Sequence, residues 1–121
     1  MKAFRLINIS GDLCSFQEGS LPEFEQLPAD HFFVQHHIEK YELRPHPAPR
    51  YQFVVTLKGK LRFTVSDGST FIIEPGIILV AKDLAGAGHT WELIEGNEWL
   101  RIYIVPPADA PDHFIETSPA K

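Results

Sequence analysis

From His31 onward, apolar and polar positions fall into short runs broken by glycine and proline. Leu61-Arg62-Phe63-Thr64-Val65 alternates with a period of two, the pattern of a half-buried strand. Tyr51 to Leu57 is rich in β-branched and aromatic residues, which favour a pleated surface. Phe71 to Ile73, Ile77 to Ala81, His89 to Ile94 and Glu98 to Val105 read as further strands. His31 to Leu43 alternates loosely, holds neither Gly nor Pro, and predicts another strand. Lys58-Gly59-Lys60, Asp67-Gly68, Glu74-Pro75-Gly76 and Gly96-Asn97 predict turns between these runs, and 83–88 a Gly-rich loop. Pro45, Pro47 and Pro49 lack the N–H that sheet pairing needs and interrupt the sheet there. Short strands with turn signals at this spacing predict an all-β sandwich or barrel. No alternation of strands with helical periodicity suggests a parallel α/β fold.

The first thirty or so residues are less regular. Phe4 to Ile9 predicts one strand, and a polar stretch with turn residues from Gly11 to Pro28 follows. The expected organisation is a single domain: a lead-in over 1–32, a β-barrel over 33–106 and a polar tail over 107–121. A chain of 121 residues is long enough for one hydrophobic core without disulfide staples. Its 11 Lys and Arg against 16 Asp and Glu give a net charge of −5, with no basic cluster. That argues against a nucleic-acid footprint and against docking to anionic membranes. No run approaches the roughly 20 apolar residues of a membrane-spanning helix, and the N-terminal apolar run is too short for a signal peptide. With one cysteine, Cys14, no intrachain disulfide forms, and the expectation is a cytoplasmic protein with an ordinary thiol.

Candidate chemistry gathers around the prolines. His46, Ala48, Arg50 and Gln52 share one parity, so an extended chain turns them to the same side. His89 opens a later strand after the Gly-rich loop. Two histidines and a glutamine converging among apolar residues make a small-molecule pocket. Arg50 would hold a substrate carboxylate bidentately or lie on the surface beside the Pro-rich turn. His36 and His37 point to opposite sides of a strand, so His31, His36 and His37 cannot all line one site. On the last strand, an inward Leu100, Ile102 and Ile104 face would turn Arg101 and Tyr103 outward. Trp91 and Trp99 read as core or interface anchors.

These residues resemble the two short motifs of the cupin superfamily. In the first, His46 stands at the first histidine, Ala48 at the second, Gln52 at the glutamate and Gly59 at the closing glycine, with Lys40 at the opening glycine. In the second, Gly76 opens the motif, Gly86 matches the inner glycine and His89 the histidine. Two extra residues intervene there, Leu84 replaces a proline and Leu93 an asparagine. The resemblance covers roughly residues 33–106, is similar to small single-domain bacterial cupins, and implies a cupin-type jelly-roll β-barrel.

The superfamily's metal site uses three histidines and a glutamate to hold Fe, Mn, Ni, Zn or a similar ion. The resemblance therefore implies at most His46, Gln52 and His89 as ligands of one divalent ion. Neutral Gln is a weaker ligand than a carboxylate, so the alternative is that both histidines stay neutral pocket residues. The expected function is binding of a small anionic or oxygen-rich compound at His46, Arg50, Gln52 and His89, with or without weakly metal-dependent catalysis. The competing readings are a non-catalytic sensing module and a structural homodimer with a vestigial cavity. If Gln52, Val54 and Thr56 face the cavity, then Phe53, Val55 and Leu57 face away as an apolar row. Such a row calls for cover, either by a second copy in a homodimer or by the lead-in segment of the same chain.

Overall fold

The structure is a computed structural model that describes residues 1–117; the last four residues of the expected polar tail lie outside the described residues. Eight strands form one mostly antiparallel sheet: β1 (Lys2–Asn8), β2 (Cys14–Ser20), β3 (His31–Gln35), β4 (Gln52–Thr64), β5 (Thr70–Ile73), β6 (Ile78–Ala81), β7 (Thr90–Val105) and β8 (Ile115–Glu116). Two 3-10 turns, Ser10–Asp12 and Lys40–Leu43, complete the regular structure, and no α-helix occurs among the described residues. Hydrogen-bonded order runs β3-β7-β4-β6-β1-β2-β8, with β5 attached to β4. β3 and β8 end this path without pairing to each other, so the all-β class holds but the ladder does not close into the expected barrel.

Several local expectations are corrected. Tyr51 to Leu57 and Leu61 to Val65 are one strand, β4, and His89 to Ile94 and Glu98 to Val105 are one strand, β7. The glycines that suggested turns mark a shared bend instead. β4 and β7 pair along both halves, and their register shifts between Thr56 and Leu61. Gly59 has φ +110°, and a Cβ there would lie 2.7 Å from the Glu98 carbonyl oxygen. Gly96 sits opposite, its own Cβ position closest to the Gly59 Cα. Two strands bending together keep their hydrogen bonds, where a hairpin would separate them.

The lead-in holds two strands rather than one. β1 turns at Gly11 and Asp12, both at positive φ, and returns as β2. β1 lies between β2 and β6, parallel to β6, and is therefore an interior strand. Its neighbours Ala3 and Phe4 are both buried because both sheet faces are covered. His31 to Leu43 is extended only as far as Gln35; the rest includes the Lys40–Leu43 3-10 turn. The described part of the tail carries β8 and a buried Asp112 paired with Arg5 at 3.0 Å and Lys82 at 3.2 Å. No described helix is long and apolar enough to cross a membrane.

Because β4 and β7 bend, side chains from six strands meet in one core: Phe4, Leu6, Cys14, Val54, Phe63, Phe71, Leu79, Trp91, Trp99 and Tyr103 among them. A second cluster on the reverse face joins Ala3, Tyr51, Phe53, Ile78 and Val80, flanked by Leu21, Leu27 and Phe114. Phe53 of the expected apolar row is thus covered by the lead-in and tail of its own chain. Leu57, 48% exposed, is not.

The last correction concerns β7. Trp99, Arg101, Tyr103 and Val105 face inward, and Leu100, Ile102 and Ile104 face out, half-buried. The aromatic side chains take the interior, and Arg101 shares their parity. It is completely buried, 4.2 Å above the Trp99 ring. Arg101 donates to the Trp99 and His37 carbonyls, the Tyr103 hydroxyl and Glu42 Oε1, the last at 2.8 Å. A buried guanidinium is tolerable when a carboxylate neutralises it and its donors are engaged.

Candidate functional site

The strands deliver polar side chains to one end of the core, where a cavity of about 110 Å³ opens. Water-sized positions of this kind need roughly 10–15 Å³ each, so the space suits a ligand of a few non-hydrogen atoms. Phe33, Phe63, Trp91, Trp99 and Tyr103 form its aromatic wall, and Val54, Leu79 and Ala81 its floor. His46, Arg50, Gln52 and His89 all line it, together with Ala48, Gln35, Tyr41 and Glu42. The structure thus brings the four sequence candidates to one place. Ala48 faces the same space, and none of His31, His36 and His37 lines it. His36 pairs outside with Glu98, and the His37 carbonyl is what Arg101 holds.

Backbone pairing sets the two histidines side by side. His46 and His89 exchange N–H to carbonyl hydrogen bonds of 3.0 Å in both directions. Their rings lie 4.7 Å apart between centroids. Gly88 makes this approach feasible, since its missing Cβ leaves room for the His46 carbonyl. The Gly-rich loop is pinned at several points. The Asn8 side chain donates to the Ala85 carbonyl and accepts from the Ala85 N–H, and Ala48 N–H donates to the Asp83 carbonyl. These bonds tie the loop to β1 and to the 46–48 segment.

Hydrogen bonds assign the imidazole protons. His46 Nδ1 lies 2.8 Å from the Arg44 carbonyl oxygen. A carbonyl only accepts, so Nδ1 carries the hydrogen and Nε2 keeps its lone pair. Burial, aided by neighbouring His89 and opposed by the Arg44 carbonyl, lowers the His46 pKa, which favours this neutral form. His89 Nδ1 lies 2.6 Å from Asp83 Oδ2, which only accepts, so Nδ1 carries a hydrogen there too. Both rings line the cavity, and the bare His46 Nε2 accepts from a hydroxyl or amine.

Gln52 and Arg50 act as a pair. Arg50 Nη1 donates to Gln52 Oε1 at 2.9 Å, and the guanidinium lies 5.6 Å from the Phe33 centroid. Arg50 is the only Lys or Arg among the lining residues, and it is itself exposed, so it marks where the cavity opens. The expected ligand set His46, Gln52 and His89 fits a metal poorly in this arrangement. The one Gln52 atom able to ligate is already held by a cation, and the lining carboxylate, Glu42, is committed to Arg101.

Behind His89, where no candidate was expected beyond an ordinary thiol, lies a second polar group. Cys14, Asp83 and His89 are all buried, their ligating atoms lie within 4.8 Å of one another, and they could hold a metal ion. Cys14 Sγ is 3.4 Å from Asp83 Oδ2, the oxygen that also accepts from His89. Asp83 Oδ1 is buried with no partner among the described residues. Burial first, and then the Asp83 charge, push the Cys14 thiol well above its ordinary range, so without a cation it stays protonated. Asp83, Cys14, Glu42 and Arg101 are the site's residues that spacing alone does not reveal. The only sequence signal was a charged residue sharing parity with Trp99 and Tyr103.

No protein-family model matches the chain, and no curated protein or solved structure matches it significantly.

Proposed function

We propose that this protein is a small-molecule-binding member of the cupin superfamily, its bent sheet a jelly roll of the cupin type. Its ligand is a small hydroxy acid or a similarly oxygen-rich anion. The convergence of two imidazole rings with one arginine on a single cavity carries this reading. Arg50 supplies a cation at the opening, of the kind that takes a carboxylate. His46 Nε2 offers an acceptor deeper in, of the kind that takes a hydroxyl. The aromatic wall between them excludes water and strengthens both contacts.

The test is a thermal-shift series on the full chain with small α-hydroxy carboxylates and their neutral amides. Ligand at a hundred times its Kd adds about 2.7 kcal/mol to apparent stability, a rise of several degrees. The carboxylates are expected to give it and the amides not. Arg50→Met and His46→Ala should each weaken binding at least tenfold. Absence of any shift across the series, or shifts that survive in both variants, removes the reading.

A second reading adds turnover to the same pocket, and the Asp83–His89 hydrogen bond favours it. A carboxylate behind Nδ1 orients an imidazole so that Nε2 can take a proton from a bound substrate. Isomerisation needs only such proton transfers. Product formed by the wild type and lost in Asp83→Asn, with ligand-induced shifts retained, distinguishes an enzyme from a binding module.

The partner we propose is a second copy of this chain. On the outer face of β3 and β7, Phe32 lies beside Ile104 and Val34 beside Ile102. Phe32 and Val34 are 69% and 67% exposed on an edge strand, an apolar surface suited to isologous pairing. Light scattering at micromolar concentration is expected to give a dimer that Phe32→Asp converts to monomer. A monomeric wild type sinks the proposal.

A further inference from the structure

We infer that Cys14, Asp83 and His89 form a binding site for a divalent ion of the zinc class, placed behind the cavity wall. The donor set is the first argument. A thiolate and an imidazole select borderline and soft ions such as Zn²⁺ or Co²⁺ over Mg²⁺ or Ca²⁺. One thiolate and one carboxylate neutralise a divalent charge, which a buried site requires.

Geometry is the second argument. Around a tetrahedral ion with Zn–S about 2.3 Å and Zn–N and Zn–O about 2.0–2.2 Å, ligand atoms stand roughly 3.3–3.6 Å apart. Cys14 Sγ and Asp83 Oδ2 are already 3.4 Å apart. The 2.6 Å contact between Asp83 Oδ2 and His89 Nδ1 is shorter than the site needs, because a shared hydrogen holds it closed. Releasing that hydrogen opens the pair by about 0.7 Å, within the range of a side-chain rotation. The partnerless Asp83 Oδ1, on a completely buried side chain, is an acceptor that the rest of the described chain leaves unused.

The proton balance follows from these atoms. The incoming ion takes Cys14 as thiolate, so one proton leaves Sγ for solvent. It also takes the His89 Nδ1 lone pair, so the hydrogen that Nδ1 shares with Asp83 must leave that nitrogen. The ion site stands on these atoms and does not rest on the cavity reading proposed above.

This site differs from the one the cupin resemblance implies, which would use His89 Nε2 from the cavity side with His46. Co²⁺ titration of chelator-treated full-length protein separates the two. A thiolate-to-cobalt charge-transfer band, release of at least one proton per ion, and displacement by Zn²⁺ are expected. Cys14→Ser should abolish the band, Asp83→Asn should weaken affinity at least tenfold, and His46→Ala should leave both unchanged. Nitrogen-15 spectra of the His89 ring should show Nδ1 lose its hydrogen as Zn²⁺ is added. A wild type that binds Co²⁺ without the thiolate band, or not at all, overturns the site. So does a band that survives Cys14→Ser, affinity that depends on His46, or retention of the Nδ1 hydrogen at saturating Zn²⁺.

Discussion

Arg101→Met is expected to destabilise the fold by about 3–5 kcal/mol, the cost of breaking a buried ion pair by removing one partner. The mutation leaves Glu42 charged and almost fully buried, with the backbone N–H of Glu39 and a long contact from Gln35 as its remaining partners. It also strips a donor from the Trp99 and His37 carbonyls and from the Tyr103 hydroxyl. Methionine is close in volume, so packing on Trp99 is largely kept and the loss is electrostatic. The double variant Glu42→Gln with Arg101→Met should therefore recover a large part of the loss, because no charge is then stranded. Urea unfolding of the four proteins in the cycle measures this. A cost below about 1 kcal/mol for Arg101→Met would show that the pair contributes no more than a surface salt bridge. The effect reaches the site through Glu42, which lies in the Lys40–Leu43 turn and lines the cavity beside Tyr41. Loosening that turn should weaken ligand binding as well as stability.

Gly88→Ala is the second large effect. Gly88 has φ +74°, and a Cβ there would lie 1.9 Å from the His46 carbonyl oxygen. The left-handed conformation costs an L-residue about 1–2 kcal/mol. Forced displacement of packed neighbours adds about 1–3 kcal/mol. The expected loss is about 2–5 kcal/mol, together with separation of the His46–His89 pair. Gly68→Ala is the control, since Gly68 has φ +87° but nothing within 4 Å of its Cβ position. It should show the conformational part alone, about 1–2 kcal/mol. Equal losses at the two positions in thermal or urea unfolding would mean that the backbone at His46 yields freely, and that the close approach does not hold the pair.

The site was legible where local pattern was enough. His46 and Gln52 lie six residues apart with even spacing, and His89 follows a Gly-rich loop. Both features survive in the cavity lining. Asp83 was visible only as the start of that loop, because its role depends on His89 folding back over it. Cys14 was unreadable as a metal-capable residue. It stands 69 positions from Asp83, and only the interior placement of β1 and the return of β2 bring the two together. Gln52, a possible third ligand by resemblance, has its amide oxygen held by a neighbour two residues away. Parity could place Arg50 on the same side, but not direct its guanidinium onto the amide oxygen.

The sequence by itself determined the all-β class, through period-two alternation and glycines at obligatory positive φ, and the grouping of His46, Arg50, Gln52 and His89. Only the tertiary structure decided that β4 and β7 run unbroken through Gly59 and Gly96. A glycine bend and a glycine turn have the same local composition and differ only in whether the partner strand bends too. Likewise, alternation along β7 marks two faces without saying which is inside. Leu100, Ile102 and Ile104 compete there with Trp99 and Tyr103. The choice fell to the face whose one charge could be neutralised, and the carboxylate that does it, Glu42, stands 59 residues away from Arg101.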